Sequence, residues 1–195
     1  MSKTGIIILA AGNSSRMGEP KQLMMYKNKT FLQHIIGEAK NAGLEPVICV
    51  TGYRSEFITT SITGMGISIV DNKNWREGMG TGIAAGIKQL LISDVDSVIL
   101  AVSDQPHVSS DLFETMQKQR DQSGKGIAAC AYAGTLGTPV LFGKKYFDQL
   151  KSLSGNQGAK NIVKLNMPDV FSVEFEKGKI DIDTKEDYEN LISEI

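Results

Sequence analysis

Short β-branched and apolar runs alternate with helically spaced apolar positions along the whole chain. This alternation limits the fold more than any other feature, because strands separated by helices pair in parallel under helices packed on both faces. Ile6 to Ala10 is predicted as the first strand. Phe31 to Ala42 repeats Leu32, Ile35, Ile36 and Ala39 at helical spacing and stops at Gly43. Strands are expected over Val47 to Thr51, Ile67 to Val70, Val98 to Val102 and Ile127 to Tyr132, with Pro139 to Phe142 a further strand of either sense. Helices are expected over Ser55 to Ile62, Thr81 to Leu91, Leu112 to Gln122 and Lys185 to Ile195, the last capped by Thr184 or Asp183. The 195 residues fit one domain, 1–195, of three-layer α/β/α architecture on a mostly parallel, Rossmann-like sheet.

A formal net charge of −1 without a basic run gives no field to gather nucleic acid, so a small-molecule partner is expected. Cys49 and Cys130 lie inside apolar strand runs and read as buried free thiols in a reducing compartment. Met1 to Gly5 leads straight into strand residues with no signal-peptide pattern, and no apolar run is long enough for a bilayer. A cytoplasmic protein with no membrane partner is expected.

In an open α/β sheet ligands bind beyond the carboxyl ends of the strands, and three informative segments fall there. After the first strand, Leu9, Ala10, Ala11, Gly12, Asn13, Ser14, Ser15, Arg16, Met17, Gly18, Glu19, Pro20, Lys21 form a small-residue, cationic loop suited to phosphate. Gly12 and Gly18 let backbone approach an anion, Ser14 and Ser15 add hydroxyls, and Arg16 and Lys21 add charge. Neither a Walker A loop nor a dinucleotide fingerprint is present. An ordinary βα turn with two solvated cations is the competing reading. After the fourth strand, Asp104 leaves the core where a carboxylate could hold Mg²⁺ together with substrate phosphates; a turn or helix-capping role is the alternative. After the third strand, Asp71 to Gly82 opens a helix with small residues whose free N–H groups could read a base or hold a phosphate, with Trp75 either a pocket wall or packing. His34 and His107 lack triad or zinc partners and read as packing and rim residues. Met24 and Met25 read as core or lid residues.

The first loop resembles the signature Leu-Ala-Ala-Gly-x-Ser-x-Arg-Met-Gly-x-Pro-Lys-x-Leu of the MobA/MocA-like nucleotidyltransferases, nearest to their molybdenum cofactor cytidylyltransferases. Four further elements match in order: Asn72 to Gly86 as Asn-x-x-Trp-x-x-Gly-Met-Gly, Asp104-Gln105-Pro106, Gly137 to Phe142 with Leu153 to Lys160, and Asp181 to Asp187. Lys73 and Lys185 stand where proline is common, Gly82 where serine is common, and Asn156 where aspartate is common. The resemblance implies a sheet of the nucleotide-diphospho-sugar transferase (GT-A-like) type and a Mg²⁺-dependent enzyme, with Mn²⁺ an alternative. It implies that CMP passes from CTP to the phosphate of molybdenum-bound molybdopterin as pyrophosphate leaves, Ala11 standing where guanylyltransferases carry a second glycine. Arg16, Lys21 and Asp104 would be catalytic. Leu9, Ala10, Ala11, Gly12, Ser14, Ser15, Arg16, Lys21, Asn72, Gly78, Met79, Gly80 and Thr81 would bind the nucleotide. Gly137, Pro139, Asn156 and Gly158 would bind the acceptor, and Asp104 with Asp183 the metal. A molybdenum hydroxylase would be a recipient partner. The rival readings are a sugar- or polyol-phosphate nucleotidyltransferase and a non-catalytic carrier of the cofactor.

Overall fold

The computed structural model describes residues 2–13, 17–18 and 20–193. Nine strands occur among them: β1 (Thr4–Leu9), β2 (Met25–Tyr26), β3 (Lys29–Thr30), β4 (Val47–Thr51), β5 (Ser68–Asp71), β6 (Ser97–Val102), β7 (Ile127–Tyr132), β8 (Thr135–Gly143) and β9 (Val170–Glu174). The helices are α1 (Phe31–Asn41), α2 (Ser55–Ser61), α3 (Met79–Leu90), α4 (Ser110–Ser123), α5 (Phe147–Lys151), α6 (Lys160–Leu165) and α7 (Lys185–Ser193). Seven strands form one sheet in the order β5-β4-β1-β6-β8-β7-β9, with β2 and β3 a separate hairpin. β5, β4, β1 and β6 run parallel, as do β7 and β9. Only β8 runs against its neighbours, which settles the sense of the strand around Pro139. Its pairing with β7 shifts register between Ala129 and Cys130, so Pro139 lies where the ladder is already interrupted and its missing N–H is tolerated.

The period-two pleat sorts β1 into two cores. Ile6 and Ile8 face α1, α2 and α4 through Leu32, Ile35, Ile36, Ile58, Phe113 and Met116. Ile7 faces the opposite layer, against Ile83 and Ile87 of α3, Leu150 of α5 and Ile162 of α6. Thr30 starts α1 as a full capping box with Gln33, which explains why the helix begins at Phe31. Gly86 lets α3 settle on the sheet, since a Cβ there would meet Ile7 Cγ2 at 2.7 Å. Among the described residues no helix is long and apolar enough to cross a membrane.

A third, smaller cluster positions the site. Met17, Tyr26, Phe31, Ile182 and Leu191 pack together, with Met24 and Tyr188 against them. The cluster binds the segment after β1 to the start of α7, and the Ile182 N–H donates to Asp104 O at 3.1 Å. Residues 181–183 have no regular secondary structure. No pleat sets the direction of Asp183; the packing of Ile182 into this cluster does.

Candidate active site

The loops at the carboxyl ends of β1, β5 and β6 enclose a cavity of about 470 Å³ with the 154–157 loop and the approach to α7. Leu9, Ala11, Gly12, Lys21, Asn72, Gly78, Met79, Asp104, Asn156 and Asp183 all line it, so three separate sequence segments meet on one rim as expected. Ser14, Ser15 and Arg16 lie outside the described residues. Ala10 is buried beneath the rim, its N–H bonded to Val50 O. Gly80, Thr81, Gly137, Pro139 and Gly158 stand outside the lining. Gly137 makes room for Tyr132, whose ring would overlap a Cβ there. Gly158 faces Met79, with Sδ 3.8 Å from where a Cβ would stand.

The chemical centre is an ammonium between two carboxylates. Lys21 Nζ lies 2.5 Å from Asp104 Oδ2 and 3.0 Å from Asp183 Oδ1, and the three side chains are 15%, 18% and 34% exposed. Burial pulls the Lys21 pKa down, but the charges and hydrogen bonds of Asp104 and Asp183 outweigh it and leave it raised above its usual value. Asp181 stands near the same group: burial and the charge of Asp183 raise its pKa. The capping alternative for Asp104 is set aside, because Ser109 caps α4 by accepting from Leu112 N at 3.3 Å. At α7 the competing readings share the segment. Thr184 and Asp187 form a reciprocal capping pair, Asp187 N–H to Thr184 Oγ1 at 3.1 Å and Thr184 N–H to Asp187 Oδ2 at 2.7 Å, and Asp183 turns to Lys21.

Asp104 Oδ1 is buried and has no hydrogen-bond partner among the described residues, which leaves a hard oxygen at a cavity wall. That fits a divalent cation, which takes carboxylate oxygens and completes its shell with phosphate and water. No group of three or more His, Cys, Asp or Glu among the described residues could hold a metal by itself. Asp104 and Asp183 are the two carboxylates that would share it.

Neighbouring side chains shape the floor. Buried Gln22 donates from Nε2 to Ala10 O and to Gly12 O, each at 3.1 Å, and so clamps the start of the first loop. Sequence reasoning passed over it because it occupies the variable position between Lys21 and Leu23. Asn72 accepts from Asn74 N–H at 3.1 Å and donates to Thr81 Oγ1 at 2.9 Å, so it braces its own loop. Gly78 has φ of 125°, and the Gly80 N–H donates to Gly155 O at 2.9 Å, seating the 154–157 loop on the start of α3. Trp75 is half-buried, lines the cavity and also packs edge-on against Tyr53 at 5.5 Å, so its position serves both roles considered for it. His34 stacks edge-on with Tyr26 at 5.3 Å, and burial lowers its pKa, as befits packing.

A sheet between two helix layers, with Lys21 beyond its first strand and acidic groups opposite, is the setting of a nucleotide-handling α/β protein. Residues 6–170 match the MobA-like NTP transferase domain, and the chain belongs to that family. It is 29% identical over 191 residues to the molybdenum cofactor cytidylyltransferase of Escherichia coli (strain K12), covering 96% of this chain and 95% of that one. It is 25% identical to the purine catabolism protein PucB of Bacillus subtilis (strain 168), covering 94% and 93% respectively. Among solved structures, Rv0371c of Mycobacterium tuberculosis H37Rv superposes with a TM-score of 0.82 at 24% identity over all of both chains. A second structure of Rv0371c, in complex with manganese, gives 0.78 at 23% identity, again over all of both chains. The sheet is thus that of the nucleotide-diphospho-sugar transferase fold.

Proposed function

We propose that this chain is a cytidylyltransferase that moves CMP from CTP onto the phosphate of molybdenum-bound molybdopterin. The observation that carries this reading is Lys21 held between Asp104 and Asp183 on the rim that also holds Gly12. An acceptor phosphate oxygen forms a bond to the α-phosphorus of CTP, the bond from that phosphorus to the bridging oxygen breaks, and pyrophosphate leaves with the electron pair. Such a reaction asks the protein for alignment and charge neutralisation rather than covalent chemistry. The Gly12 backbone and Lys21 would hold the phosphates, with Arg16 adding charge from the same loop. Asn156 would meet the acceptor, as would Gly137, Pro139 and Gly158 through the backbone they shape. Mg²⁺ or Mn²⁺ on Asp104 and Asp183 would supply charge neutralisation on the phosphates; the manganese complex of Rv0371c supports a divalent cation on this fold.

The molybdopterin acceptor is supported by the E. coli relative, and CTP over GTP by Ala11. The product would pass to a molybdenum hydroxylase in the cytoplasm. Pyrophosphate release tests the reading, with CTP, GTP, ATP or UTP, Mg²⁺, and molybdopterin present or absent. Release with CTP and molybdopterin alone is expected. Release only with a sugar or polyol phosphate would replace the acceptor, and no release from any triphosphate by folded protein would leave a carrier role.

A further inference from the structure

The β4–β5 side of the cavity carries a guanidinium that the reaction above leaves unassigned. Arg76 sits in the short turn Trp75–Glu77, lines the cavity, and lies over the Trp75 indole with Cζ 4.4 Å from the ring centroid. The indole is itself fixed. Gly52 lies so close beneath it that an added Cβ would meet Trp75 Cβ at 2.6 Å, and Tyr53 meets the ring edge-on at 5.5 Å. Trp75 and Arg76 form the wall between the cavity and an outer groove that holds Arg54, Glu56 and Asp71. Even so, Arg76 forms no ion pair among the described residues. A stacked guanidinium with its donors unspent and a cavity in front of it is a preorganised receptor for acceptor atoms.

Its place in the fold narrows the ligand. Asp104 follows β6, and Lys21 is held to it, whereas Trp75 rests on Gly52 beyond the end of β4, on the other side of β1 in the sheet order. A triphosphate with its phosphates at Lys21 would have room for its nucleoside toward Trp75, Arg76, Gly78 and Met79, which line the same cavity. Asn72 lies on that side too, but its amide is engaged with Asn74 and Thr81.

We propose that Arg76 reads the edge of the nucleobase and decides between pyrimidines. A guanidinium only donates. Cytosine offers O2 and N3 as adjacent acceptors, and a planar fork can take both. Uracil places N3–H next to O2, so donor would face donor. The inference rests on the nucleotidyltransferase reading and deepens it at one residue.

Calorimetric titration of wild-type protein, Arg76→Met and Arg76→Lys with CTP, UTP and inorganic pyrophosphate, each with Mg²⁺, tests it. Trp75 is the single tryptophan, so its emission gives a second, local readout of occupancy. The wild type should prefer CTP to UTP. Arg76→Met should weaken CTP by about 10-fold or more and bring the CTP-to-UTP ratio near one, the size of a lost bidentate base contact. Pyrophosphate affinity should hold. Arg76→Lys, which keeps the charge but not the fork, should also keep pyrophosphate and lose discrimination. Parallel loss of CTP and pyrophosphate in Arg76→Met would make Arg76 a phosphate ligand and overturn the proposal, as would an unchanged CTP-to-UTP ratio. A wild type that binds pyrophosphate but no triphosphate would instead defeat the nucleotidyltransferase reading, and this inference with it.

Discussion

Lys21 is the residue on which the site's electrostatics turn. Its ammonium occupies the space between Asp104 Oδ2 and Asp183 Oδ1, so it would compete with a divalent cation held there. A bound triphosphate offers the ammonium other oxygens and would free the carboxylates. Nucleotide and metal should therefore bind with positive coupling, by reciprocity of linked equilibria. Titration of nucleotide-free protein with Mn²⁺, followed by electron paramagnetic resonance, should show Lys21→Met binding the ion more tightly than wild type, by about 5-fold or more. Asp104→Asn should weaken it, and unchanged affinity in Lys21→Met would refute the competition. Turnover moves differently. Asp104→Ala and Lys21→Met should each lower kcat by about 10²- to 10³-fold, the scale of a lost electrostatic group in a transition state. Circular dichroism should show the fold of both variants retained, because neither side chain belongs to a hydrophobic core. Near-wild-type turnover in either would remove it from the catalytic set.

Two elements carry the site without touching the reacting atoms. The start of α3 is held by the 154–157 loop, and a Cβ on Gly80 would stand 2.7 Å from Ser154 O and 2.8 Å from Gln157 O. Those are backbone atoms with no side-chain freedom to retreat. Gly80→Ala should cost about 1–3 kcal/mol by overpacking and lower nucleotide affinity, measured by urea denaturation and calorimetry on one preparation. Helix α7 acts from the other side. Leu191, 4% exposed, belongs to the cluster that carries Ile182 beside Asp104. Leu191→Ala should cost about 2–4 kcal/mol and raise KM for the triphosphate more than a surface change on α7 such as Glu189→Ala. Equal effects would deny α7 its part in setting Asp183. These elements also show what the sequence disclosed. β4 and β7 were readable to the residue, since Val47–Thr51 and Ile127–Tyr132 are continuous apolar runs with clear ends. β9, α5 and α6 were not, because five or six residues span fewer than two helical turns or three strand repeats, too few to register a period. The phosphate loop, Asp104 and the Asp181 to Asp187 segment were legible as motifs. Gln22 and Arg76 were not, since each fills a position the motif leaves variable and only the fold brings it to the cavity. The resemblance singled out Asp183 but not its direction; what brings it beside Lys21 is the third cluster, assembled from residues about 160 apart in the chain.

At the scale of the molecule, the titration of buried groups bears on how the sheet holds at high pH. Cys49 on β4 and Cys130 on β7 belong to the same core layer and are fully buried. Burial pushes each thiol up to about 12. Tyr146, buried and hydrogen-bonded to Asp169, is likewise raised to about 12, burial being the larger cause. The sign follows from which state binds more protons. Above about pH 8.5, where an exposed thiol ionises, the unfolded chain releases protons that the folded chain keeps, so stability falls as pH rises toward 12. Lys21 pulls the same way at higher pH, because its raised pKa keeps it charged in the fold after an exposed lysine has begun to lose its proton. Urea midpoints measured between pH 7 and pH 11 should therefore be flat at first and then decline, and Cys49→Ala should decline less steeply than wild type while starting from a lower stability. The same burial predicts slow labelling of both thiols by a disulfide reagent at pH 8 until urea unfolds the chain. Rapid labelling in the native state would mean that the layer holding α1, α2 and α4 against the sheet opens locally, and the alkaline decline would then report that opening rather than the titration of a closed core.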